Sequence, residues 1–385
     1  MTQLSPPPFF ATRAERVELA RRRYFEEGLP PSGVVSDAVF QSWARCQRLR
    51  QEPAQRVAFQ PVTASRMHQS LRKNHRLHEA WLAELPQIQT ALGTTSCAAM
   101  LTDSTGVLIG TACIGRAHER LMPVAARIGV DLSEEAVGTT APGVVVRTRQ
   151  PVTVYGAEHF FDDVGIMHCA AAPIRDAGGN LAGVLDVSSE QIPFNFDAAS
   201  VVGLFAGAIE NRLLVANSRE HLVIRMQVLA SLLDSPVVGV VGIDGAGRLA
   251  WCNGVASRLL GLPPIEQRTM PLLAEQMLGA GIARLASLPR AGAAALILPN
   301  GLKVWARSEM RTPDGYRNLI QAARVDELQS TPSSGKASTT LRESNRDLIE
   351  RTLQECSGNV SQAARKLGVS RGVIYRRLRS GEQPT

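Results

Sequence analysis

The amino-acid sequence predicts a multidomain α+β chain that ends in a small all-α module. Three observations lead to that class. Apolar runs joined by Asp/Gly-rich turns recur in two regions, 97–187 and 237–321, with helix-like stretches inserted between them. Apolar residues at helical spacing, from Val202 to Leu233, link the two regions. Near the end, two short amphipathic stretches flank Gly368, and six basic residues with no acidic one fall between Asn359 and Ser380. Hairpin strands with helices inserted fit antiparallel sheets carrying helices on their faces.

At 385 residues the chain is long enough for two or three domains. Its formal net charge of +7 mildly favours an acidic partner. The six cysteines are scattered without a CxxC pair, which points to a reducing compartment and away from a disulfide frame or a zinc module. Residues 1–12 do not resemble a signal peptide, and no apolar run approaches the roughly 20 residues of a membrane helix, so a cytoplasmic protein with no membrane partner is expected.

Residues 1–87 read as a helical region, rich in Arg and Glu and broken at 28–33. Phe40, Trp43 and Cys46 share one helical face, as expected of a cap packed on the following domain. Ser42-Trp43-Ala44-Arg45-Cys46 resembles the N-terminal part of acetoin-catabolism-type activators.

Residues 88–222 are the first sheet domain. Strands at 97–102 and 107–109 flank the turn 103–106, a helical piece follows at 132–136, and 138–143 is a glycine-bounded loop or helix start. A strand at 152–155 precedes a second hairpin, 170–174 with 181–187, closed by Asp176-Ala177-Gly178-Gly179. Glu158, His159, His168 and Cys169 have metal-ligating chemistry, but neighbours on a strand face opposite ways, so one of each pair at most is expected inward. An apolar pocket with a single polar anchor is favoured over a metal or haem. A purely structural domain that holds no ligand is the remaining alternative, and no cofactor is expected. The segments 138–143, 156–160, 169–176 and 183–187 resemble a GAF sensory domain of the acetoin-regulator kind. That resemblance implies a small-molecule effector held between the sheet and its covering loops, with Tyr155, His159, Phe160, Met167 and Cys169 as candidate lining.

Residues 196–234 read as one long helix or two nearly continuous ones, interrupted across 217–222. The first half would pack on the sheet and the second would pair with a second subunit, giving a homodimer. Residues 223–326 repeat the sheet pattern: a hairpin 237–243/248–252, a helix capped by Asn253, strands at 295–298 and 302–305 around Asn300-Gly301, and another at 318–321. Asp244, Gly247, Arg248, Asn253, Ala256 and Leu259-Leu260-Gly261 resemble a PAS domain. Residues 327–340 form a flexible linker.

Residues 341–385 carry the clearest signal. Leu341, Leu348, Ile349 and Leu353 give one helix, Asn359 or Ser361 can cap a second, and Ser370 can cap a third. Gly368 suits a turn that needs positive φ, Ala364 permits a close crossing, and Leu367, Val369, Ile374 and Leu378 supply apolar contacts. Arg365, Lys366, Arg371, Arg376, Arg377 and Arg379 leave the outer face cationic, suited to phosphates beside a major groove. The run 358–371 with 374–378 resembles the Fis-type helix-turn-helix. It implies double-stranded DNA as partner, with Ser370, Arg371, Val373, Tyr375, Arg376 and Arg377 as contact residues.

Activators with this resemblance carry a central ATPase, and here the sequence has no GxxxxGK[ST]: Gly335-Lys336 is followed by Ala337. Sigma-54 remodelling is therefore not expected. A ligand-responsive regulator acting by occupancy or contact with RNA polymerase is expected. The alternative is an adaptor or anti-activator that associates with full-length activators. No catalytic constellation stands out, so an enzyme is not expected.

Overall fold

The computed structural model describes residues 12–31, 33–113, 118–218, 220–263, 271–310 and 349–379. The expected strand at 318–321, the linker 327–340, and Leu341 and Leu348 lie outside the described residues. The chain divides into two units, residues 1–176 with 180–213, and 177–179 with 214–385.

In the first unit β1 (Cys97–Asp103), β2 (Leu108–Ala112), β3 (Val152–Tyr155), β4 (Met167–Arg175) and β5 (Leu181–Glu190) form a sheet of order β2-β1-β5-β4-β3. Every pairing is antiparallel. The hairpins form where Asp–Gly turns reverse the chain, with Gly106 and Gly179 at φ of 95° and 77°.

Both faces of the sheet are covered. Ala99, Leu101, Ala170, Ala172, Leu185 and Val187 pack with Trp81, Ile88 and Leu92 of α4 (His75–Leu92) and Val202 and Ile209 of α8 (Ala198–Asn217). On the other face Ala98, Met100, Val154, Met167, Cys169, Ala171 and Val184 share a core with Val39 and Trp43 of α2 (Asp37–Arg48), Val137 of α6 (Glu134–Val137) and Val145 of α7 (Ala141–Thr148). α1 (Arg13–Glu27) adds Val17 to that core. α3 (Ala64–Lys73) and α5 (Met122–Ala125) complete the helices of this unit.

Two sequence expectations are corrected at α8. It is long and apolar enough, by length and composition, to cross a membrane, although no such run was expected. Over half of its apolar window is buried in the protein, Glu210 accepts from the Arg175 amide, and Arg212 pairs with Glu84, as in a core helix. The helix also stops at Asn217, and residues 222–227 are a strand, β6 (Leu222–Gln227). Leu222, Ile224 and Met226 enter one core and Val223 the opposite one, with Arg225 and Gln227 on the Val223 face. This short alternation is masked because Val223, Met226, Leu229 and Leu233 recur at helical spacing across it. The helix pair expected between subunits is overturned with it.

In the second unit β6 joins β7 (Gly239–Ile243), β8 (Leu249–Cys252), β9 (Ala294–Ile297) and β10 (Lys303–Met310) in the order β8-β7-β6-β10-β9, again antiparallel. Between β8 and β9 lie α9 (Gly254–Leu259), capped by Asn253, then α10 (Ala274–Leu278) and α11 (Ile282–Ser287). The C-terminal helices are α12, helical over 349–355, α13 (Val360–Leu367) and α14 (Arg371–Arg379). Ile349, Leu353, Val360, Ala363, Ala364, Ile374 and Tyr375 share one core with Leu278, Ile282 and Leu285. Val369, expected to add apolar contacts, is 37% exposed because it sits in the turn after Gly368.

Candidate sensor core and nucleic-acid interface

The N-terminal helices fix the segment that covers the first sheet. The buried Arg21 guanidinium donates to the carbonyl of His159, to that of Phe160 at 2.6 Å and to Asp162 Oδ1 at 2.7 Å. Trp43 Nε1 donates to the Glu158 carbonyl at 2.7 Å, and Arg45 grips Glu134 with two bonds of 2.6 and 2.7 Å. The buried Arg21 guanidinium and Trp43 indole, with satisfied partners, tie this cover to the N-terminal helices.

Glu158 and His159 are both buried, each 1% exposed, which corrects the expectation that only one would face inward. Residues Gly156–Glu158 form a 3₁₀ turn, so strand alternation does not apply. The Glu158 carboxylate pairs with Arg13 at 2.7 Å and accepts the Tyr155 amide at 2.8 Å, and burial still raises its pKa. His159 Nδ1 lies 2.9 Å from the Gly156 carbonyl and its Nε2 3.5 Å from Cys169 Sγ. That geometry assigns the proton to Nδ1 and leaves Nε2 to accept from the thiol. Burial pushes the imidazole down to about 4, so it is neutral at pH 7. Burial, with Asp186 nearby, drives the Cys169 thiol up, and it is protonated and not a nucleophile.

Phe160 and Met167 are buried on the same side, with Phe160 in edge contacts to Phe25 and Phe161. Tyr155 is half-buried, with its ring against Phe194 and the Arg13 guanidinium above it. The structure therefore gathers His159, Phe160, Met167 and Cys169 in one interior and places Tyr155 at its edge. Among the described residues no three His, Cys, Asp or Glu side chains are grouped to hold a metal.

Sequence reasoning missed Asp186 and Ser188. They sit on the central strand β5, opposite Met100 and Ala98 of β1 and Ala171 and Cys169 of β4. Asp186 is 0% exposed. Ser188 Oγ donates to its Oδ2 at 2.6 Å, while Oδ1 has no hydrogen-bond partner. Burial pushes this carboxyl up to about 7. The signal in the sequence was a lone acid inside the apolar run Val184-Leu185-Asp186-Val187.

At the C-terminus the local chemistry follows the sequence pattern. Asn359 caps α13 by accepting from the Gln362 amide at 3.0 Å, and Gly368 takes φ of 65° to end it. Ser370 is exposed, Arg371 and Val373 are half-buried, and Tyr375 is 1% exposed. Arg376 and Arg377 lie on α14. Arg371 forms an ion pair with Glu220 and donates from Nη1 to Ser361 Oγ at 3.4 Å. The Ser361 amide donates to the Gly245 carbonyl at 2.8 Å. The Tyr375 hydroxyl has no hydrogen-bond partner, and burial beside Asp244 pushes it up to about 12. Arg371 and Tyr375, one turn apart on α14, thus face the β7–β8 turn of their own unit.

These geometries match known families over two segments. Residues 76–213 match the GAF domain model, and residues 340–380 match the model of bacterial regulatory proteins of the Fis family. The chain therefore carries a GAF domain and a Fis-type helix-turn-helix. It is similar to the acetoin catabolism regulatory protein of Cupriavidus necator, at 29% identity over 59% of this chain and 35% of that protein. It is also similar to the acetoin dehydrogenase operon transcriptional activator of Bacillus subtilis, at 28% identity over 52% of this chain and 33% of that protein. The matched stretch spans about a third of the length of these relatives. Among solved structures, the Escherichia coli DhaR(N)–DhaL complex aligns over 71% of this chain and 99% of its own, with a TM-score of 0.44 and 14% identity.

Proposed function

We propose that the chain is a ligand-responsive, DNA-binding transcription regulator that works without an ATP-driven motor. The helix pair α13–α14 carries this reading. Its Asn359 cap and Gly368 turn are in place, and Arg371 sits in the first turn of the second helix, where a guanidinium can pair with a guanine edge. Ser370, Val373, Tyr375, Arg376 and Arg377 are assigned to the same DNA-contact set. The first unit is the sensor, with its effector seated among His159, Phe160, Met167 and Cys169 and with Tyr155 at the entrance. The relatives named for acetoin regulation support a small oxygenated effector. The second sheet, with α9–α11 inserted between β8 and β9, supports a PAS-like unit.

The response has a physical handle. Arg371 is engaged by Glu220 and Ser361, and Tyr375 is buried, so α14 must leave this packing before both can meet a duplex. Glu220 follows the last residue of α8 by three positions, which places the restraint directly after the sensor's final helix. Effector binding would shift the balance between the packed and the released helix.

Selection of duplexes from a random pool by the purified chain tests the reading. It predicts enrichment of a defined motif, with inverted half-sites if the protein acts as a dimer. No enrichment over non-specific binding at about 150 mM salt, where phosphate contacts alone are weakened, would overturn it.

A further inference from the structure

The central strand of the first unit holds a carboxyl group that the fold itself does not satisfy. Asp186 lies at the middle of the sheet, fully buried, with Ser188 serving one oxygen and nothing serving the other. Among the described residues no guanidinium or ammonium compensates it. The other buried acids of this unit are provided for. Glu134 is held by Arg45, Glu158 by Arg13, Glu84 by Arg212, and Glu190 by the amides of Arg120, Leu121 and Met122 at 2.7, 2.9 and 2.9 Å. A half-satisfied buried carboxyl weakens a fold, and burial of the ionised form weakens it more. A buried carboxyl oxygen with that cost and no partner is expected where a ligand completes it.

Its surroundings narrow the ligand. Met100, Ala171 and Val184 flank Asp186 on its face of the sheet, and α7, with Ala141 and Val145 buried in the same core, packs over β4 and β5. Ala98, Ala141 and Ala171 present only small apolar side chains in the same core. The polar groups near it are already committed or neutral. Ser188 donates to Oδ2, the His159 imidazole is neutral, and the Cys169 thiol is protonated. One open acceptor in an apolar wall matches one hydroxyl donor. An ammonium would bring three donors to that single acceptor and leave two unmet.

We propose that Asp186 is the polar anchor of the sensory pocket, and that its Oδ1 accepts a hydrogen bond from the hydroxyl of a small neutral alcohol or hydroxyketone. The inference rests on the reading of this unit as a small-molecule sensor. It adds the residue that selects the ligand and the chemistry it selects. Held up to about 7 by burial, the carboxyl regains its acceptor strength when the ligand's hydroxyl meets it.

Thermal unfolding of the full chain tests this with acetoin and 2,3-butanediol as hydroxyl probes, 2-butanone and 2,3-butanedione as hydroxyl-free counterparts, and sec-butylamine as the cationic one. The hydroxyl probes should raise the Tm and the other three should not. Asp186→Ala and the bulkier Asp186→Leu should weaken the response roughly ten- to hundredfold in probe concentration. At least one of them should match or exceed the wild-type Tm without probe, since the unmet carboxyl is gone. A response that survives both substitutions, or that follows a hydroxyl-free or amine probe, overturns the assignment while the sensor reading stands. A lowered Tm in both variants with the response intact makes the carboxyl purely structural. A flat response to all five probes overturns the ligand class, and the sensor reading falls only if aromatic compounds and carboxylates are flat as well.

Discussion

At the scale of single residues, the core of the first unit combines two buried groups with opposite pH signatures. The Asp186 carboxyl is raised to about 7 from an ordinary 3.8, so the folded state binds its proton more tightly than the unfolded chain. Its contribution is fully present below about pH 4 and is lost as pH rises through 7. The His159 imidazole is lowered to about 4 from 6.5, so its contribution is present above 6.5 and is lost as pH falls toward 4. Between pH 8 and 5.5 the two oppose each other. Asp186→Leu leaves the histidine alone and should lose stability on acidification, while His159→Gln should gain it, each by about 1–2 kcal/mol relative to wild type. Urea midpoints at the two pH values check this, and parallel profiles for all three proteins would contradict the burial assigned here. His159 was legible in the sequence as an inward residue. Asp186 was not, because both faces of β5 are covered and the apolar residues beside it carry no alternation to show which way it points.

At the scale of elements, legibility followed the turns. Asp103–Gly106, Asp176–Gly179 and Asp244–Gly247 each place a glycine at positive φ, and the three hairpins they close were readable from that chemistry. β6 was not readable, since its six residues are overlaid by Val223, Met226, Leu229 and Leu233 at helical spacing. Glu158 and His159 were misjudged because a 3₁₀ turn replaces the strand that alternation assumes. The packing of α14 offers a test at this scale. A Cβ on Gly245 would collide with Ser361 Oγ and come within 3.0 Å of Arg371 Cδ and Nη1. Gly245→Ala should therefore loosen α13–α14 from the β7–β8 turn and raise DNA affinity about five- to tenfold, within the usual range of coupling between two states. Anisotropy titration against a selected duplex reads it. Unchanged affinity would mean that this contact does not limit access to DNA.

At the scale of the whole molecule, the GAF and Fis-type segments stand at 76–213 and 340–380, with the strands of the second sheet between them in the sequence. Both family segments were legible, one from its glycine-bounded loops and hairpins, the other from dense agreement of cap, turn, small residue and cationic face. What the sequence left hidden is the engagement of the C-terminal helices by the second unit. It depends on residues far apart in the chain, Glu220, Gly245 and Ser361 among them, which carry no local pattern. In the proposed switch Arg371 serves two partners in turn, Glu220 when packed and a base edge when released. The direct test is the affinity of wild type, Glu220→Ala and Arg371→Ala for a duplex enriched by the wild-type chain and for its scrambled counterpart at fixed salt. Glu220→Ala should bind the enriched duplex more tightly, and Arg371→Ala should lose about 1–3 kcal/mol on it and relax preference at one base pair. Equal affinity of all three proteins for both duplexes would contradict the account.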